Sequence, residues 1–408
     1  MDDARAEPTA IGTSKAIDHR MRIGFGLDPS MPGANFPAAV DGTCRDGTIA
    51  DLNKTVTRGA TLRRGLVVGG LARYAAQKLR EWKELARIVA EEDALEEACR
   101  RLAAGEPVAI PTETVYGLAA DATDGTAVAR IFEIKGRPRF NPLIAHVADM
   151  AMAGSIAVFT PLASRLAGAF WPGPLTLVLP VREGSGIHPL VTAGLDTVAL
   201  RNPRGFGARV IARLGRPLAA PSANTSGRIS GTSAGAVNAD LGDRIGMIVD
   251  GGPTRVGLES TIVKVEGDRL LLLRPGGIAA EEIEAVAGVR LERGASGVQA
   301  PGMLASHYAP DAPVRLNADR VRPGEALLAF GPRRIANADA AVKVLNLSQR
   351  GDLKEAAANL FAHLLALDAV GAKAIAVEPI PAAGLGEAIN DRLARAAAPR
   401  QDSGEKGS

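Results

Sequence analysis

The sequence is cut into short apolar runs, each stopped by glycine, proline or a polar turn, with amphipathic stretches between them. Runs at 107–110, 176–181, 197–200 and 247–250 suit strands by length and composition. Between them lie helical repeats. Leu95, Ala98, Cys99, Leu102 and Ala103 recur at i, i+3, i+4, i+7 and i+8, with Asp93 placed to cap the start and Gly105 the end. A second helix takes Thr160 as its cap and Pro161 at its first position, carries Leu162 and Leu166 inward and stops at Pro172-Gly173. Two later runs, 261–265 and 269–273, are joined by Gly267-Asp268, a two-residue hairpin turn. Helices between some strands and a hairpin between others predict an α/β domain whose sheet mixes parallel and antiparallel pairing.

With 408 residues there is room for more than one such domain. Residues 1–91 read as a partly irregular N-terminal extension to which no function attaches, although 66–89 turns helical in composition. The first domain is expected over 92–293. Residues 294–313, rich in Gly, Ala, Pro and Ser, form a linker containing Ser306-His-Tyr-Ala-Pro310. Over 314–398, strands at 326–330, 342–347 and 374–377 alternate with helices, which predicts a small Rossmann-like parallel domain. Its central helix starts at Asp352 with Glu355 as a capping-box partner, buries Leu353, Ala356, Ala357, Leu360, Phe361, Leu364 and Leu365, and ends at Gly371. Residues 399–408 are a polar tail.

Composition excludes several classes. Forty-eight Lys and Arg against 45 Asp and Glu leave a net charge of +3, too little for a nucleic-acid coat or a polybasic membrane binder, and 3% aromatics give few stacking platforms. Two distant cysteines make neither a disulfide framework nor a thiolate zinc site, and no run has the length of a membrane span or a signal peptide. A cytoplasmic protein with backbone-lined sites is expected, with no membrane partner.

There is no GxxxxGK[ST], no GxGxxG after a strand, no HExxH and no GxSxG. One dense patch remains, Lys135-Gly-Arg137-Pro-Arg139-Phe-Asn141-Pro-Leu-Ile-Ala-His146, with three cations on alternate positions of a constrained loop. Alone it reads first as a solvated basic turn; it is also able to present fixed positive charge to a polyphosphate. Polar segments at strand ends strengthen the second reading: Thr112-Glu-Thr114, Arg201-Asn-Pro-Arg204, and Pro221-Ser-Ala-Asn-Thr-Ser-Gly227 leading to Ser230.

Taken with Lys135-Gly-Arg-Pro and Asn141-Pro-Leu-Ile, four further stretches complete a pattern: Pro111-Thr-Glu-Thr-Val-Tyr-Gly-Leu118, Phe170-Trp-Pro-Gly-Pro-Leu-Thr176, Ala220-Pro-Ser-Ala-Asn-Thr-Ser-Gly227 and Glu259-Ser-Thr-Ile-Val263. In this order they closely resemble the YrdC/Sua5 family of threonylcarbamoyl-adenylate synthases, over roughly residues 92–288. The linker motif and the tail Gly384-Leu-Gly-Glu-Ala-Ile-Asn-Asp-Arg392 are similar to the long, two-domain branch. The resemblance implies a twisted mixed sheet with a concave groove, and a nucleotidyltransferase (adenylyltransferase) that joins L-threonine, bicarbonate or CO2 and ATP into threonylcarbamoyl-AMP and pyrophosphate. The product would pass to a tRNA threonylcarbamoyltransferase that makes t6A at position 37 of tRNAs reading ANN codons. It further implies that Lys135 and Arg137 meet phosphates and the carbamate as catalytic residues, that Asn141, Ser222, Asn224, Ser230 and Arg274 hold ATP, and that Tyr308 lays the linker over the site. Thr114, His146, Arg201, Ala220, Ser260 and Thr261 would surround threonine, and Mg2+ would come with ATP without a metal site of the protein's own.

Two positions depart from the family pattern. After Arg201 the chain runs Asn202-Pro-Arg204-Gly-Phe in place of a His-Pro step, and Lys264 replaces an acid after Ser-Thr-Ile-Val. Hydrogenase-maturation carbamoyltransferases share the fold but carry zinc-finger segments that two cysteines cannot build. A rival of another class is a non-catalytic double-stranded RNA or tRNA-binding module using the basic groove; the low net charge allows at most weak direct binding.

Overall fold

The computed structural model describes residues 86–294, 299–302 and 307–399, all within one compact unit, Gln77–Ser408. The expected irregular extension up to residue 85, Ser306 and the tail from residue 400 lie outside the described residues.

Eleven strands make one mixed sheet: β1 (Arg87–Ala90), β2 (Val108–Ile110), β3 (Gly117–Asp121), β4 (Ile144–His146), β5 (Leu175–Pro180), β6 (Thr197–Arg201), β7 (Leu218–Ala219), β8 (Met247–Asp250), β9 (Thr261–Glu266), β10 (Arg269–Arg274) and β11 (Leu291–Glu292). Their order is β1-β8-β2-β3-β7-β4-β6-β5-β9-β10-β11. Among the described residues eight helices accompany it: α1 (Leu95–Ala103), α2 (Gly125–Lys135), α3 (Met150–Ile156), α4 (Pro161–Phe170), α5 (Pro189–Thr192), α6 (Phe206–Leu214), α7 (Ala234–Leu241) and α8 (Ala280–Ala287). Because side chains alternate along a strand, one face takes Val108, Ile110, Met247 and Val249 against Ala98, Leu102, Phe206 and Val210 of α1 and α6. Ala109 and Ile248 point the other way, into the larger core with Ile131, Leu166 and Val237.

The second sheet is wholly parallel: β12 (Val314–Arg315), β13 (Glu325–Ala329), β14 (Val344–Asn346) and β15 (Ala374–Val377), ordered β12-β15-β13-β14. Helices α9 (Leu353–Asp368) and α10 (Leu385–Ala397) pack on it through Leu360, Phe361, Leu364, Ile389 and Leu393. The same cluster takes in Val115, Ile229 and Leu258 from the first domain, so the two domains share a core. No helix among the described residues is long and apolar enough to cross a membrane.

The mixed sheet followed by a parallel one agrees with the fold class read from the sequence, and the hairpin forms with Gly267 at positive φ. Four local readings are corrected. Arg87–Ala90, expected within the helical stretch and the extension, is an edge strand paired to β8, because Ile88 and Val89 are β-branched and Val89 docks against the α1 layer. Asp93 does not cap α1: the N-cap is Ala94, without a side-chain bond, and Asp93 N donates to Ala90 O in a turn. Glu355 does not close a capping box on Asp352; Ser348 Oγ donates to its Oε2 and accepts from Asp352 N, so the box runs through a serine. Leu353 and Leu365, expected inside, are partly buried neighbours of the core.

Candidate active site

Loops at the strand ends in the middle of the large sheet converge on one small cavity. Thr114 and Val115 come from the turn between β2 and β3, His146 from β4, Arg201 from β6, Ala220 to Ser222 from the end of β7, and Glu259, Ser260 and Arg274 from the start of β9 and the end of β10. Arg137 enters from the loop after α2. That helix starts on Asp124, whose carboxylate accepts from Thr126 N and Ala127 N, and ends on Gly136 at φ 58°, a left-handed stop that turns the chain toward the sheet.

The cations are buried and held by carbonyls. Arg137 Nε donates to Asn141 O (3.1 Å) and Nη2 to Pro142 O (2.8 Å). Arg274 Nη2 and Nε donate to Ser260 O (2.8 and 3.2 Å). Burial, and then the neighbouring Arg274, push the Arg137 guanidinium down to about 10, so it stays charged near neutrality, and burial lowers Arg274 in the same direction. Lys135 Nζ donates to Ser222 O (2.6 Å) and Asn224 O (2.5 Å), tying α2 to the 221–227 loop. Burial, followed by the Arg137 charge, holds its ammonium well below the usual lysine range.

His307 and Tyr308 of the linker fill the mouth. Tyr308 is 1% exposed, stacks on Phe361 with ring centroids 5.3 Å apart, and lies under the Arg392 guanidinium at 5.2 Å. Gly302 packs so closely that a Cβ there would stand 2.8 Å from Arg274 Cδ and 3.2 Å from the Tyr308 hydroxyl. About 40 Å³ of space is left among these groups, close to the room for one water molecule. The described linker residues therefore narrow the site.

The sequence profile described as "Telomere recombination" matches residues 100–276, and the one described as "Threonylcarbamoyl-AMP synthase, C-terminal domain" matches 278–398. The threonylcarbamoyl-AMP synthase of Bacillus subtilis is 42% identical over 322 residues, covering 74% of this chain and 93% of the relative. The chain belongs to the YrdC/Sua5 family, in its two-domain Sua5 form. The Pyrococcus abyssi threonylcarbamoyl-AMP synthase is 43% identical over 309 residues, 72% of this chain and 90% of its own. A crystal structure of Pyrococcus abyssi Sua5 complexed with L-threonine superposes with a TM-score of 0.69 at 39% identity, covering 76% of this chain and 98% of that one.

Within this Sua5 chain the cavity brings together Arg137, Arg274, Ser222, Tyr308, Thr114, His146, Arg201, Ala220 and Ser260. Other expected residues stand behind that wall. Asn141 is 1% exposed and both its amide atoms lack partners. Asn224 Nδ2 donates to Thr225 O and Arg228 O, bracing its own loop. Ser230 Oγ donates to Glu259 Oε1 (2.6 Å), which leaves only acceptor capacity on that hydroxyl. Thr261 Oγ1 donates to Ile278 O (2.7 Å) and accepts from Ile278 N (3.0 Å), so its hydroxyl pins β9 to the turn before α8. Lys264, the departure noted on the hairpin, pairs with Glu266 at 2.6 Å.

Four residues not singled out from the sequence complete the site. Glu259 lines the cavity and accepts from Arg392 Nε (2.9 Å) on α10. Burial alone would raise its carboxyl, but the Arg392 and Arg274 charges and the Ser230 bond bring it down to about 2. Glu113 pairs with Arg201, and Thr176 Oγ1 shares a 2.7 Å hydrogen bond with Ser260 Oγ. All but Arg392, which lies in the tail motif, sit inside or beside the strand-end motifs, so the signal was neighbourhood in sequence, not residue type.

His146 and His307 are both pushed down to about 3, by burial first, with Arg201 second for His146. Between roughly pH 6.5 and 3 the unfolded chain thus binds protons on both that the folded chain refuses, so stability rises with pH and is lost on acidification. Urea titrations across that range are expected to show up to about 1.4 kcal/mol lost per pH unit for each histidine. His146→Gln should remove its share of the slope; an unchanged slope would mean the ring is already charged in the fold.

Proposed function

We propose that this chain is an L-threonylcarbamoyladenylate synthase: it forms threonylcarbamoyl-AMP and pyrophosphate from L-threonine, bicarbonate or CO2 and ATP, for t6A modification of tRNA. The observation that carries the reading is a single cavity in which Arg137 and Arg274 stand with Thr114, His146, Arg201 and Ser260 under the linker. Curated relatives at 42% and 43% identity bear that enzyme's name, and a structural neighbour binds L-threonine.

The chemistry needs orientation and charge more than a protein nucleophile. Threonine's neutral amine attacks the carbon of CO2, or of bicarbonate with loss of water, and gives a carbamate. A carbamate oxygen then attacks the α-phosphorus in line, and the bond to the bridging oxygen breaks as pyrophosphate leaves with the electron pair. Arg137 neutralises the charge that develops there, with Arg274 on the ATP side. Lys135 fixes the 221–227 loop whose Ser222 faces the nucleotide, and the unpartnered amide of Asn141, buried while the linker is down, is left to donate to and accept from the nucleotide once the linker lifts. Arg201 receives the threonine carboxylate, and Thr114, His146, Ala220 and Ser260 shape the rest of that pocket. Asn224, Ser230 and Thr261 act from behind, holding loops. Tyr308, lifted to admit ATP and lowered afterwards, keeps water from the labile adenylate.

Mg2+ enters as the phosphate complex of ATP. Glu259, the carboxylate beside the cations, accepts from Ser230 on one oxygen and from Arg392 on the other, so it is tied first to the protein. The setting is the cytoplasm, and the product goes to a tRNA threonylcarbamoyltransferase.

The deciding experiment incubates the protein with ATP, Mg2+, bicarbonate and each amino acid, following pyrophosphate and the nucleotide's mass. Threonine-selective, bicarbonate-dependent threonylcarbamoyl-AMP is expected. A folded protein that consumes nothing but shifts RNA in a gel would replace this reading with that of a binding module.

A further inference from the structure

Arg201 is held by partners outside the cavity it lines. Its Nε donates to Gly173 O (3.2 Å), and its Nη2 pairs with Glu113 Oε1 at 2.7 Å. Nε is thereby given to the backbone, and Nη2 faces the Glu113 carboxylate as an ion pair without a directed hydrogen bond. The second oxygen of Glu113 accepts Arg204 N (3.1 Å), and Val256 N donates to the Glu113 carbonyl (2.9 Å), so the glutamate is fixed from two directions. The pair is almost closed to solvent, with side-chain exposures of 5% for Arg201 and 9% for Glu113. Glu113 does not line that cavity; with Arg204 and Thr112 it lines a separate, roomier pocket of about 470 Å³.

A guanidinium this deeply buried is unstable without a counter-charge, and an arginine freed from its anchors has many rotamers to lose before it can bind anything. We infer that Glu113 is the positioning residue of the amino-acid pocket: it holds Arg201 aimed before substrate arrives, so that the carboxylate of an α-amino acid meets a pre-set cation. This rests on the proposed reading of Arg201 as the threonine carboxylate's partner. With Nε given to Gly173 O, the carboxylate is received by the terminal Nη1 and Nη2 groups, end-on to the fork. Glu113 touches no substrate in this arrangement and acts only through Arg201. The Asn202-Pro-Arg204 turn, where this chain departs from the family's usual His-Pro step, supplies the amide that fixes the far oxygen of Glu113.

The test is a double-mutant cycle on the full-length protein, read as pyrophosphate release over a threonine titration at saturating ATP and bicarbonate. Glu113→Gln keeps the size of the side chain but has one acceptor where two are used. It is expected to raise the threonine KM about tenfold or more, leave the ATP KM unchanged and keep kcat at saturating threonine within about threefold, the pattern of a lost binding interaction. Arg201→Met should raise the threonine KM at least as far, and adding Glu113→Gln to it should change the threonine KM by less than about twofold, because the residue through which Glu113 acts is gone. Glu113→Asp, charged but shorter, should fall between Gln and the parent. Effects that simply multiply in the double variant, or a Glu113→Gln protein that loses melting temperature and kcat while its threonine KM stays put, would overturn the inference and leave Glu113 as a structural staple. If Arg201→Met itself leaves the threonine KM unchanged, Arg201 does not bind the carboxylate, and the threonine assignment falls together with this inference.

Discussion

Arg137→Ala is expected to lower the rate of adenylate formation by a hundredfold or more at saturating substrates. The residue is a buried cation in the same cavity as Arg274, and removing one preorganised electrostatic stabiliser costs roughly 3 kcal/mol of transition-state energy. Its carbonyl partners, Asn141 O and Pro142 O, are neighbours in its own loop, so the fold should survive the change. Melting temperature beside single-turnover pyrophosphate release separates the two effects. Arg137→Lys, a point charge without the fork, should recover only part of the rate. Turnover within about threefold of the parent in the alanine variant would remove Arg137 from the chemistry. Lys135→Ala should be as slow for a different reason, since it also releases the 221–227 loop from α2.

The second large effect lies between the domains. Arg392 is fully buried, donates to Glu259 Oε2 at 2.9 Å and to Asp391 at 2.6 Å, and covers the Tyr308 ring. Arg392→Ala strands the Glu259 carboxylate in a buried position, and breaking a buried pair from one side costs about 3–5 kcal/mol. Chemical denaturation is expected to show a loss of that size, with the second domain separating in an earlier transition. Glu259→Gln combined with Arg392→Met removes both charges together and should be milder than Arg392→Ala alone. Equal losses from both would mean that packing, not charge, holds this contact.

Much of the architecture was legible because local signals agreed with one another. Helix α9 carries its cap at Asp352 and its buried stripe through Phe361 and Leu364, and the 261–274 hairpin carries its turn. Strands β3, β4 and β7 were not legible. They are short, and β3 is Gly117-Leu-Ala-Ala-Asp121, buried throughout but built from small residues that no strand propensity marks. The site divided the same way. The basic patch and the strand-end segments pointed to Arg137 and Arg201, and the family resemblance to Arg274, whereas Glu259 meeting Arg392 depends on a contact across 133 positions of chain. Nor does a hydroxyl in a motif disclose its partner: Thr261 and Ser260 are adjacent, yet one serves the fold and the other lines the cavity.

The edge of the large sheet also sets a timetable for biogenesis. Among the described residues β1 pairs with β8 alone, Arg87 against Met247 and Ala90 against Asp250, a register offset of 247 − 87 = 160 residues. At about 5–20 residues per second of synthesis, the first strand waits on the order of ten seconds or more for its partner to emerge. During that wait Ile88 and Val89 form an unpaired β-branched segment at the outset of the domain. Nascent chains of this protein should therefore engage chaperones until residue 250 has cleared the ribosome, and protease resistance of the nascent domain should rise only after that point.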